Sequence, residues 1–202
     1  MTAATAVDTT PVSRRERRKA ETRRRLIDAA AEVIAAVGVD AATISAITEA
    51  ADVGLGTFYL YFPDRDSLAA AVGEELLLRI AEAATEAAEH TDSTDPLTRH
   101  RAGTRAICRV AEDQARLLHA LYRWHPQGAG SALRDVFIAR MRDNLELAMK
   151  AGSFRKEDPA LAAHALLGLY AECVLYWAGE RGKDWDQLAD FLERTSISAL
   201  SP

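Results

Sequence analysis

The chain has 202 residues, 49% of them hydrophobic and 27% charged, with a formal net charge of −5 at pH 7. That is enough apolar material for one large domain, or for one small and one larger domain, each with a core. The acidic total argues against a protein that coats nucleic acid through its whole surface, and two cysteines without CxxC spacing, Cys108 and Cys173, argue against a disulfide framework. Abundant alanine, only 6% aromatic residues and almost no strand-like alternation predict an all-α protein of about nine helices.

Residues 1–12 are small, polar and unpatterned, and are expected to be a disordered leader. They hold no apolar run of signal-peptide length, so the chain is expected to be cytoplasmic, with reduced cysteines. Ser13 to Glu16 has capping-box form. Between Arg14 and Arg25, eight residues are Arg or Lys and two are Glu, a local +6 that leaves −11 on the remainder. A basic end on an acidic body points to a polyanionic partner at that end alone. Leu26, Ala30, Val33, Ile34 and Val37 then recur at helical spacing, and Gly38 suits a C-cap.

Thr43 is a good N-cap for a second helix with Ile44, Ile47 and Ala51 on one face. Asp52-Val53-Gly54 breaks it, and a short third helix is expected from Leu55 to Phe62. Pro63-Asp64 opens a long fourth helix to about Glu89. Further start signals stand at Asp95-Pro96, Asp158-Pro159 and Asp184 to Gln187, with breaks at Pro126 to Ser131, Gly152 and Gly179 to Lys183.

The segment ATISAITEAADVGLGTFYLYFPDRDSL, residues 42–68, follows the plan of a helix-turn-helix, in which the second helix enters the major groove. Gly54 and Gly56 permit close backbone approach to DNA, and Thr57, Tyr59 and Tyr61 place hydroxyls beside them. The run resembles the DNA-binding signature of the TetR family of transcriptional regulators, through its GTFY-x-YF core and the charged position opening the next helix. The resemblance implies that Thr43 and Ser45 lie near phosphates and base edges and that Leu55 and Gly56 occupy base-reading positions. It implies phosphate or base contacts from Thr57, Tyr59 and Tyr61, and a backbone-directed Arg65. Asp52 stands where that pattern commonly has glycine, and Ser45 where it often has arginine. No Arg, Asn or Gln occurs between Leu55 and Phe62, so specificity is expected to lean on Ser45, thymine-methyl contacts, the basic segment and DNA shape. A nucleotide-binding GxGxxG reading fails because Tyr59 holds its third glycine position.

Beyond residue 69 there is no catalytic constellation: no GxSxG occurs, and five scattered histidines form no metal motif. No enzyme activity, cofactor or metal is expected. The run from Ala160 to Ala178 is apolar nearly all round, yet His164 and Glu172 within it argue against a membrane span. With the last helix (Trp185, Leu188, Ala189, Leu192) it would form half of a homodimer's four-helix bundle, as the resemblance implies. Tyr122, Trp124, His125, Phe137, Met141, Tyr170 and Tyr176 are candidates to line a small-molecule pocket. The domain reading is thus 13–68 for double-stranded operator DNA and 69–202 for effector binding and dimerisation. The function implied is a ligand-responsive repressor. The alternative is an all-α enzyme or small-molecule binding protein that keeps the helix-turn-helix as scaffold.

Overall fold

Capping chemistry sets the helix boundaries. The structure, a computed structural model, describes residues 13–124, 131–180 and 182–201, less the side chains of 131–134, 136 and 137. Among the described residues there are nine helices: α1 (Arg14–Val37), α2 (Ile44–Ala50), α3 (Leu55–Phe58), α4 (Arg65–Glu89), α5 (Pro96–Asp113), α6 (Ala115–Arg123), α7 (Ser131–Lys150), α8 (Pro159–Gly179) and α9 (Trp185–Leu200). Ser13 and Glu16 cap each other reciprocally at α1. Thr43, Asp64, Asp95, Asp158 and Asp184 each accept first-turn amides that lack an intrahelical partner. The Asp64 carboxyl is held below its usual range, chiefly by the hydrogen bonds from Ser67.

Two boundaries differ from the sequence expectation. The third helix stops at Phe58, because Leu60 and Tyr61 donate to Thr57 and Phe58 at i,i+3 spacing and the helix tightens into turns. A break at Gln114, with no glycine or proline to announce it, separates α5 from α6. The leader, His125 and the Pro126 to Gly130 break lie outside the described residues.

The apolar half of α1 inserts Leu26, Ile27, Ala30 and Ile34 into the core, where α1 packs on α2, α4 and α6. Phe58 and Leu68, fully buried, extend this core from α3 into α4. Side chains of this size contribute about 1.5–3 kcal/mol each when buried. The α4–α5 pairing is the most extensive among the described residues. It depends on Gly103, where an added Cβ would lie 3.2 Å from the Ala84 carbonyl oxygen. In α9, Leu188, Ala189 and Leu192 are buried within the chain itself. The residues read as an intersubunit stripe are therefore core, and the outward face carries Phe191, 44% exposed.

α8 is 21 residues long with a mean hydropathy of 1.3, long and apolar enough to cross a membrane by composition. It packs against α6, α7 and α9 through Ala162, Ala163, Leu166, Tyr170 and Val174. Its other side leaves Leu161, Ala165, Gly168 and Tyr176 exposed.

Candidate nucleic-acid interface and effector cavity

The turn between α2 and α3 is a helix-ending motif of two crossed hydrogen bonds. The Val53 amide donates to Thr48 and the Asp52 amide to Glu49, at 3.0 and 3.1 Å. Asp52 occupies its left-handed position with φ +51, and is the only non-glycine residue with positive φ among the described residues. Aspartate tolerates that region better than most residues because its short carboxylate can bond locally. The motif directs α3 away from α2 and exposes its outer face.

On that face Leu55, Gly56, Tyr59 and Leu60 are exposed, while Thr57 and Tyr61 are half-buried. Phe58 and Phe62 turn inward and pack on each other, and Tyr59 meets Phe58 edge-on at 5.2 Å. Gly56 has no positive φ, and a Cβ built on it meets nothing within 4 Å. Neither backbone conformation nor internal packing requires glycine there. Thr43 spends its hydroxyl on capping α2, whereas those of Ser45, Thr57, Tyr59 and Tyr61 have no hydrogen bond to any described residue. Arg65 donates from Nη1 to the Asp40 carbonyl at 2.9 Å and lies 3.4 Å from Asp66, with its side chain about one-third exposed at 32%. The basic half of α1 is helical and exposed, and Arg23 covers the Phe62 ring at 5.3 Å.

The second site is a cavity of about 320 Å³ between α4, α5, α7 and α8. That is the lower end of small-molecule sites, which run from roughly 300 to 1,000 Å³. Ala81, Ala84, Ile107, Leu166 and Phe154 make it mainly apolar, with Arg99, Arg140 and Glu89 among its charged lining. Of the sequence candidates, Met141 and Tyr170 line it. Tyr122 is exposed near the end of α6, and Trp124 packs half-buried against the core after it. Tyr176 is exposed on α8, with Lys183 over its ring at 5.4 Å. His125 and the Phe137 side chain lie outside the described residues.

Sequence reading missed the polar cluster at this cavity. His100 and Thr104 stand one turn apart on α5, and they meet Tyr170 of α8 and Ser196 of α9. Burial, with a smaller push from Arg101, lowers the His100 pKa to about 4, and burial raises that of Tyr170. The signal was present: a histidine and a threonine four apart on the face of α5 that also carries Gly103 and Ile107.

Two short helices joined by a tight turn, an exposed second helix and a basic approach define a helix-turn-helix DNA-binding protein. Residues 26–72 match the family model described as bacterial regulatory proteins, tetR family. The chain is 26% identical over 176 residues to the HTH-type transcriptional repressor KstR of Rhodococcus jostii, covering 87% of this chain and 81% of that one. Its fold matches the crystal structure of RolR in complex with resorcinol, with a TM-score of 0.67, 25% identity and coverage of 91% and 89% of the two chains. It matches the fatty acid degradation regulator FadR from Bacillus halodurans with a TM-score of 0.73, at 23% identity over 88% and 98%. The chain therefore carries a tetR-type DNA-binding domain at residues 26–72 and is similar over most of its length to helix-turn-helix transcriptional regulators.

Proposed function

We propose that the protein is a homodimeric, cytoplasmic repressor, released from a two-fold operator by a small, largely apolar effector. The DNA-reading unit is 13–68 and the effector and dimer unit 69–202. The observation that carries the DNA side is α3 itself, an exposed glycine that nothing inside the molecule requires, ringed by hydroxyls without internal partners. A flat backbone surface with free donors suits close approach to a sugar-phosphate edge. Thr43, Ser45, Leu55, Gly56, Thr57, Tyr59, Tyr61 and Arg65 form the proposed contact set.

The uncovered side of α8, with Phe191 of α9 beside it, is the proposed dimer face. Two-fold pairing sets recognition helices about one DNA turn apart, roughly 34–36 Å. This face is read as meeting a second copy rather than lipid, since the opposite side of α8 is packed within the chain. The effector site is the cavity, and α4 is the link. Its C-terminal half supplies Ala81, Ala84 and Ala88 to the lining, and its first residue, Arg65, holds the turn before α2. A ligand that binds the DNA-incompetent form better, and displaces the far end of α4, would lower operator affinity by about 1–3 kcal/mol.

The test is binding at fixed salt to a palindrome from DNA flanking the protein's own coding region, against random duplex of equal length. A large specificity ratio that falls on adding effector supports the reading. Equal affinity for both duplexes would leave the helix-turn-helix as scaffold.

A further inference from the structure

The buried polar groups at the cavity form a connected hydrogen-bond pattern that limits where their protons can go. A hydroxyl has one proton to donate, and a backbone carbonyl only accepts. Ser196 Oγ lies 2.7 Å from the Leu192 carbonyl oxygen and 2.7 Å from His100 Nε2. Its single proton can serve either partner, and the Tyr170 hydroxyl also lies 3.3 Å from Nε2. In the assignment where Ser196 serves Leu192, the His100 ring donates to Ser196 from Nε2. Thr104 in the same way donates to the His100 carbonyl at 3.0 Å and accepts from the Tyr170 hydroxyl at 2.6 Å. In this assignment every hydroxyl proton, and the one on Nε2, goes to a partner inside the chain.

The consequence falls on the other ring nitrogen. Burial keeps the ring neutral, with a pKa of about 4. A neutral imidazole protonated on Nε2 carries a bare lone pair on Nδ1. No described residue donates to that atom, and it is not among the buried atoms left without a partner, as Trp177 Nε1 is. His100 lines the cavity.

We propose that Nδ1 of His100 is the polar anchor of the effector site, and that the effector is an uncharged, mainly apolar molecule presenting a hydroxyl donor, a phenol or an alcohol. This rests on the reading of the cavity as the effector site. An ether or ester oxygen would set one lone pair against another. A carboxylate would need the ring protonated, against its burial, and its alternative is to stay with Arg99 and Arg140. Apolar walls and a single acceptor select for one donor on a hydrocarbon body.

The experiment titrates the full-length protein at pH 7 with para-hexylphenol, para-hexylanisole and para-hexylbenzoate, following heat or tryptophan emission. The phenol is expected to bind about tenfold or more tighter than its methyl ether, the scale of one buried acceptor left unmet. His100→Phe should remove that preference. Because this variant also disturbs Ser196, nitrogen NMR on the histidine-labelled wild type gives a second readout. The Nδ1 resonance should be that of an unprotonated imine nitrogen, and it should move with the phenol but not with the ether. Equal binding of phenol and ether, preference for the benzoate, or a proton on Nδ1 would each overturn the proposal while leaving the cavity as a ligand site. Failure of all three probes to bind would overturn the cavity reading and this proposal with it.

Discussion

Arg65 Nη1 donates to the backbone carbonyl of Asp40 at 2.9 Å, tying the first residue of α4 to the turn between α1 and α2. The same guanidinium has its remaining donors turned toward Asp66 at 3.4 Å, a weak attachment that leaves them available to phosphate. Two roles on one side chain separate by substitution. Arg65→Ala should weaken binding to all duplexes and reduce the salt slope by about one. Arg65→Lys should restore the slope but not the stability, because a compact ammonium lacks the fork that serves both partners. Salt-dependent titrations and a thermal melt of both variants check this; an unchanged slope in Arg65→Ala would confine the residue to bracing.

Gly56→Ala separates DNA approach from folding. With open space around the new methyl group, stability should hold or rise by up to about 1 kcal/mol, as alanine usually does over glycine in a helix. Operator affinity should fall. Tyr59→Phe should leave the melt unchanged and weaken all sequences alike. A destabilised Gly56→Ala protein with normal DNA binding would mean that α3 faces elsewhere.

The proposed dimer face predicts a contrast between neighbours on α9. Phe191→Glu should give a folded monomer, since that side chain is exposed in the single chain. Leu192→Glu should fail to fold, since Leu192 is fully buried and a charge there has no partner. Sedimentation and circular dichroism distinguish the two, and a wild-type monomer at micromolar concentration would dismiss the interface.

His100 predicts an acid-sensitive fold. Its pKa falls from an ordinary 6.5 to about 4 on folding, so between those values the unfolded chain binds more protons. Stability therefore rises with pH through this window and is lost as pH drops from 6.5 toward 4, by up to about 3 kcal/mol from this residue. Denaturant melts at pH 7 and pH 4.5 measure it. In His100→Phe the loss over that interval should shrink, and an equal loss would assign the acid sensitivity to other groups.

How much was legible in the sequence depended on the range of the interaction. Thr43, Asp95, Asp158 and Asp184 announce helices because a cap acts on amides two or three residues away, and each did start one. The TetR-like run at 42–68 was readable for the same reason. Gln114 was not, since a break without glycine or proline is imposed by packing at a distance. The inward turn of Leu188 and Leu192 was likewise hidden, because periodicity shows that a face is apolar but not which neighbour covers it. His100 and Ser196 stand 96 positions apart, and only the crossing of α5 with α9 brings them to 2.7 Å.

Asp52 also constrains how this sequence can drift. Holding φ at +51 restricts the position to a narrow alphabet. Glycine enters freely, and asparagine tolerates the left-handed region as aspartate does. A β-branched residue meets a steric penalty of about 1–2 kcal/mol before any duplex is involved. Related chains that differ from this one throughout the effector cavity should still vary at position 52 only within that small set. The filter belongs to the backbone, and it operates whatever operator or ligand each descendant comes to recognise.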